Sequence, residues 1–231
     1  MLSAEHPLAV ELAAGVHAGD QPALVALMER AGWLVHERFG SAAESRTALH
    51  IATDWPGHYP EVAATIALLV RAGAPVDGRF RGARAGHRET ALHWAASADD
   101  LEAIDALVAA GADIEVDGAV LTGGTPLADA VVFGQWNAAR RLVQHGARMT
   151  IWQAAAIGDE GEVRRWLSED RSDHSDVTNA CWHACRSGQG SVVRLLVERG
   201  ADLDWVGHEG RTPRQMGHAS GDSELAAWLD R

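Results

Sequence analysis

The residues with chemistry to offer are few and unevenly placed. Cys181 and Cys185 stand one helical turn apart, with His174 and His183 nearby. Two such thiolates are half of a tetrahedral metal site, which needs two further convergent ligands. No H-x3-H pair accompanies them, so they read as small buried hydrophobes and no metal is expected. Arg79, Arg81, Arg84 and Arg88 form the one dense cationic stretch. Guanidinium forks of this kind suit a carboxylate or phosphate on a partner, or else balance neighbouring acids in a solvated loop. Asp54-Trp55-Pro56-Gly57-His58-Tyr59-Pro60 is an aromatic segment stiffened by prolines. It loses little entropy on binding and so suits a contact. Trp205 stands in Asp204-Trp205-Val206-Gly207-His208, read as a hairpin tip.

Patterns for catalysis are absent. There is no G-x-S-x-G elbow, H-E-x-x-H helix, C-x-x-C pair or G-x-G-x-x-G turn. There is also no lysine; all 20 cations are arginine. That excludes a Schiff-base amine, a pyridoxal-phosphate anchor and a phosphate-loop lysine. No cofactor is expected.

The elements that must position these residues repeat. Thr47-Ala48-Leu49-His50 returns as Thr90-Ala91-Leu92-His93, and more loosely at Thr125-Pro126-Leu127-Ala128 and Thr212-Pro213-Arg214-Gln215. Some twenty residues after such a start an apolar run ends in Gly-Ala, as at Gly73-Ala74, Gly111-Ala112, Gly146-Ala147 and Gly200-Ala201. Each copy predicts a threonine cap, a short alanine-rich helix, a glycine-bearing turn, an amphipathic second helix and a left-handed glycine stop. Alanine pairs such as Ala95-Ala96 and Ala154-Ala155 let neighbouring helices approach closely.

Composition agrees with a globular chain: 231 residues, 47% hydrophobic and 23% charged, with mean hydropathy −0.12. The formal charge of −12 disfavours nucleic acid and anionic membranes as partners. Met1–Val10 lacks the pattern of a signal peptide, and two cysteines make no disulfide framework. The chain is therefore expected in a reducing cytoplasm. Abundant Ala, Gly and Arg without Lys suggest the coding bias of a GC-rich bacterial genome.

On these motifs the chain resembles ankyrin repeats, whose signature is T-P-L-H-x-A with a period of about 33. The resemblance implies an all-α ankyrin-repeat solenoid of helix-turn-helix units joined by short β-hairpins or loops. It implies one domain over 1–231 with about seven units: an N-cap at 5–40, then 44–80, 87–118, 122–148, 149–172 and 176–207, and a C-cap at 210–231. In the family, His50 and His93 would tie neighbouring units together. The variable position after that slot would face a concave groove, and we place Ile51, Trp94, Asp129, Gln153, His183 and Met216 there. The resemblance then implies a non-catalytic module that binds a protein through groove and hairpin tips. Trp94, Asp129, His183, Ile51, Asp54, Trp55, Arg79, Arg81, Arg84 and Trp205 are the expected binding residues. One alternative is an inhibitor or immunity-type protein that sequesters a basic partner. Another is an enzyme with a small-molecule ligand, using His183 and Asp129 for acid–base chemistry.

Overall fold

The computed structural model describes residues 1–82, 88–169 and 172–230. It divides into two compact units, Met1–Ala147 and Arg148–Arg231. In the first, helices run as pairs: α1 (Pro7–Ala18) with α2 (Gln21–Ala31), α3 (Ala48–Ala52) with α4 (Val62–Arg71), α5 (Ala91–Ser97) with α6 (Leu101–Ala109), and α7 (Pro126–Val132) with α8 (Trp136–Gln144). A 3-10 turn at Gly32–His36 and a two-stranded antiparallel hairpin, β1 (Phe39–Gly40) and β2 (Ser45–Arg46), separate the first two pairs. The second unit holds α9 (Ile151–Ile157), α10 (Glu160–Ser168), α11 (His174–Arg186), α12 (Gly190–Glu198), α13 (Pro213–Ala219) and α14 (Ser223–Leu229). The chain is all-α in successive helix pairs. No described helix is long and apolar enough to cross a membrane.

The first helix is short in the pairs that begin with α3, α5 and α7, and α5 shows why: it is small-sided because it is covered on several sides. Ala91, Leu92, Ala95 and Ala96 of α5 are all buried, and α5 packs against α3, α6 and α7. The second helices bury one stripe, such as Ile104 and Leu107 of α6 or Ile66 and Leu69 of α4. Gly111 ends α6 at φ 91°, a left-handed conformation costly for any residue with a Cβ. There its N–H reaches the Val108 carbonyl, and the Ala112 N–H reaches that of Leu107. In the second unit Val163, Ala180, Cys181, Trp182, Val193, Leu196 and Leu225 form the core.

The histidines after the threonine caps join one pair to the next. His50 Nδ1 lies 3.3 Å from the Thr47 backbone N and 2.8 Å from its hydroxyl; its Nε2 lies 3.1 Å from the Glu89 carbonyl oxygen. His93 repeats this with Thr90 at 3.1 and 3.0 Å and the Gly124 carbonyl at 3.2 Å. Only the neutral Nε2–H tautomer serves both ends, since Nδ1 must accept from the N–H. Both carbonyls belong to the residue just before the next threonine cap.

Gln153 differs from its expected place. Its Oε1 accepts from the Thr150 N–H at 2.8 Å and from the Thr150 hydroxyl at 2.9 Å. It therefore occupies the histidine position, not the variable one. Reading Thr150 as the cap shifts the register by one residue and removes the discrepancy. Trp182, which the sequence did not single out, takes the same role in α11. Its indole Nε1–H donates at 3.0 Å to the carbonyl of Arg211, the residue before Thr212.

Burial drives the His50 pKa down to about 3 and that of His93 to about 4. Unfolded histidines titrate near 6.5. The unfolded chain therefore binds more protons between these values, and stability is retained above about pH 6.5 and lost as pH falls toward 4. We expect the urea midpoint to drop over that window, and His93→Gln to flatten part of the drop. His93→Ala leaves the Thr90 N–H and Gly124 carbonyl without partners, and should cost about 2–3 kcal/mol in urea unfolding at pH 7.5.

Candidate functional site

A pocket of about 230 Å³ opens on the first unit, lined by Asp54, Trp55, Glu89, Trp94, Ser97 and Phe133 among others. Three local structures build it. The chain leaving α3 supplies Asp54 and Trp55, α5 supplies Trp94 and Ser97, and the end of α7 supplies Phe133.

The Trp55 segment is held from beneath. The His58 N–H donates to Asp100 Oδ2 at 2.7 Å, and the His58 Nε2 sits 2.9 Å from the Ala98 carbonyl. Asp100 Oδ1 meanwhile caps α6 by accepting from the Ala103 N–H at 3.0 Å. Tyr59 stacks on His17 with ring centroids 4.4 Å apart. Gly57, at φ 75°, lies so close to α5 that a Cβ there would stand 3.2 Å from Ala98 Cβ. Asp54 pairs with Arg46, and its Oδ1 accepts from the Trp55 N–H at 3.0 Å. These bonds tie down the segment but leave its aromatic ring in water: Trp55 is 84% exposed. Trp94 is half-buried, edge-on to His50 at 4.7 Å and tilted against Phe80 at 5.3 Å. Phe133 is 44% exposed.

Asp129 lies one helical turn before Phe133 on α7 and is fully buried. Neither carboxyl oxygen has a hydrogen-bond partner among the described residues. Burial, and then the charge of Glu89, raise its pKa to about 8. At neutral pH it holds a proton, so it is not the carboxylate that an imidazole–carboxylate pair requires. His183 belongs to the other unit. It is 6% exposed, with ring centroids 4.7 Å from Trp152, 5.0 Å from Trp182 and 5.5 Å from His208. Its Nδ1 has no hydrogen-bond partner among the described residues. Burial, then His208 and Arg186, lower its pKa to about 3, well below the range of an effective general base at neutral pH.

The remaining expected residues go different ways. Ile51 is 5% exposed and belongs to the core, because α3 is covered on the side where that residue lies. Arg79 is occupied within the fold. Its Nη1 donates to the Asp117 carbonyl at 2.6 Å and the Arg88 carbonyl at 3.2 Å, and its Nη2 donates to Asp117 Oδ1 at 2.6 Å. This guanidinium joins successive connections instead of presenting an open fork. The Arg81 backbone pairs with Ser45 in both directions, at 2.9 and 2.8 Å. Arg84 lies outside the described residues. Trp205 is half-buried, packed on the second unit's core and edge-on to His208 at 6.1 Å. Cys181 and Cys185 are buried and unpaired, and the hydrogen bond between them, with burial, pushes the Cys185 thiol up. Among the described residues no three His, Cys, Asp or Glu side chains gather as a metal site.

Sequence reasoning missed Glu89 and Phe133. The spacing of Phe133, four residues after Asp129, was the available signal. Glu89 stands directly before a threonine cap, where the sequence pattern carries no sign of exposure.

The raised Asp129 pKa has a definite consequence. The unfolded carboxyl titrates near 3.9. The stability associated with its protonation is full below that value and is lost as pH rises through about 8. Asp129→Asn should raise the thermal midpoint, with a gain that grows from pH 5 to pH 8 in calorimetry. An equal gain at both values would show that the group is not protonated in the folded chain.

Comparisons with known proteins agree with this architecture. A family model of ankyrin repeats in three copies matches residues 65–151. Diacylglycerol kinase zeta of Rattus norvegicus is 32% identical over 91 residues, which is 37% of this chain and 10% of that protein. Diacylglycerol kinase iota of the same organism is 27% identical over 101 residues, 41% of this chain and 10% of that protein. The chain thus spans about a tenth of the length of these curated relatives. The human ASB11 ankyrin repeat domain superposes with TM-score 0.58 at 18% identity, covering 94% of this chain and 96% of that one, a likeness of fold. With the repeated threonine caps, helix pairs and histidine bonds described above, residues 65–151 match ankyrin repeats and the chain shares the ankyrin-repeat fold.

Proposed function

We propose that this chain is a non-catalytic protein-binding module whose contact surface in the first unit centres on the Trp55–Trp94–Phe133 pocket. Ankyrin repeats are generally protein–protein interaction modules. The observation that carries the specific reading is a pair of exposed aromatic rings, Trp55 on a pinned segment and Phe133 at the end of α7. Trp55 and Phe133 remain in water although the rest of the Asp54–Pro60 segment is fastened by Asp100, Ala98 and His17. Rigid, solvent-facing tryptophan is the feature that dominates binding energy at interfaces. The kinase activity of the rat relatives forms no part of this reading, since the match covers about a tenth of each. Two buried, unpaired cysteines support a cytoplasmic setting. Acid–base catalysis is less well supported, because Asp129 is neutral and His183 is a weak base.

Peptides selected from a random displayed library on the intact chain should bind at this pocket. Trp55→Ala and Trp94→Ala should each weaken them about tenfold or more, as expected for interface tryptophans. Trp205→Ala should leave them unchanged. Selected peptides indifferent to both pocket variants would overturn the reading.

A further inference from the structure

We infer that the first unit holds a second contact site, a cavity beside the β1–β2 hairpin that takes a lysine or arginine side chain from a basic segment of a protein partner. The cavity measures about 460 Å³, within the roughly 300–1,000 Å³ usual for binding pockets. Glu5, Phe39, Ser41, Glu44, Arg46 and Phe80 are among the residues that line it. Its two acids stand on fastened backbone. The Leu2 N–H donates to the Arg38 carbonyl at 2.8 Å and the Gly40 N–H to the Leu2 carbonyl at 2.9 Å, which lays the segment before Glu5 along β1. The hairpin turn is closed by the Ser41 N–H to the Glu44 carbonyl at 2.7 Å and by the Glu44 N–H to the Ser41 hydroxyl at 3.2 Å. Both glutamates are exposed, and neither carboxylate makes an ion pair or hydrogen bond among the described residues. Two uncompensated charges of one sign on a single cavity favour a cation in it.

Neighbouring arginines do not cancel these acids. Arg46 is already paired with Asp54. Alternation along the strands puts Phe39, Arg46 and Phe80 on one face of the small sheet and Arg38, Ser45 and Arg81 on the other. On that second face Arg38 Nε donates to the Ser45 hydroxyl at 2.9 Å, and neither Arg38 nor Arg81 lines the cavity. Buried Phe39 and Phe80 give the cavity an apolar floor. The aliphatic stem of lysine or arginine lies well on such a floor while its charged head stays in water, here beside exposed Glu5 and Glu44. A wholly apolar side chain would leave the acids uncompensated, and an acidic one would be repelled. A protein source follows from continuity with the neighbouring surface. Phe80 packs against Trp94 at 5.3 Å and Arg46 pairs with Asp54, so the cavity backs onto the Trp55–Trp94 pocket through residues in contact. The net charge of −12 speeds encounter with a basic segment. The site does not require that pocket to be occupied.

The test uses the intact 15N-labelled chain. Nα-acetyl-argininamide and Nα-acetyl-lysinamide are titrated beside their uncharged counterparts, the citrulline and norleucine amides. We expect the backbone signals of Glu5, Ser41 and Glu44 to shift saturably with the two cations and to stay still with the neutral pair. The double variant Glu5→Gln with Glu44→Gln should weaken the response about tenfold, the yield of two partly exposed ion pairs, and Trp55→Ala should leave it unchanged. Both glutamates are exposed, so the double variant keeps its fold, which its thermal midpoint checks. For the second probe, peptides from a displayed library are selected on the intact chain and counter-selected on the double variant. Survivors should carry a lysine or arginine whose replacement by norleucine or citrulline abolishes the discrimination. Silence toward both cations, equal shifts from the neutral amides, or an undiminished response in the double variant would overturn the cation site. Survivors without a basic residue, or no survivors, would overturn a protein as its source. Peptides that depend on Trp55 are scored separately, so each of these failures leaves the Trp55 pocket reading standing.

Discussion

The structure depends on a buried imidazole that must remain uncharged. His50 and His93 each accept at one nitrogen from a threonine cap and face, with the other, a carbonyl just before the next cap. A polar group taken out of water costs free energy unless it is hydrogen-bonded, and here both ring nitrogens are. The same bonds specify the tautomer, the rotation of the ring and the distance from one helix pair to the next. A short first helix has little stability of its own. It persists because its cap, its neighbour's connection and the ring between them are satisfied together.

The second unit meets that constraint with other side chains. Gln153 and Gln215 close the cap box around Thr150 and Thr212. In α11 an indole does the reaching: Trp182 Nε1 bonds the Arg211 carbonyl, the position equivalent to those that His50 and His93 bond. Donor reach, and not histidine itself, is what the architecture demands. A tryptophan also removes the acid sensitivity that a buried imidazole brings, since indole does not titrate.

Because these bonds hold the repeats together, residues just outside the slot are free to be poor folding choices. Asp129 is buried without a hydrogen-bond partner among the described residues and stays neutral by holding a proton, at a cost that grows with pH. Trp55 offers almost all of its surface to water above a segment fastened by Asp100. Neither arrangement improves the fold. Both lie at or near one pocket, where departures from the best local choice are expected of a functional surface.

The sequence by itself determined the repeated element and its chemistry. Threonine caps, Gly-Ala stops and alanine-rich helices are local signals, decided by backbone geometry within a few residues. They were legible from Thr47 to Leu229, with one slip at Gln153, where a histidine position holds an amide. Trp55, Asp54 and Trp94 were also legible, as residue types out of keeping with their surroundings. Only the tertiary structure decided which of them meet. It brought Trp55 and Asp54 to Trp94, added Glu89 and Phe133, withdrew Ile51 into the core and engaged Arg79 in the scaffold. The physical reason is that burial and charge state are properties of neighbours supplied by other repeats. Desolvation acts on Asp129 and His183 through atoms far away in the chain, and no local pattern records it.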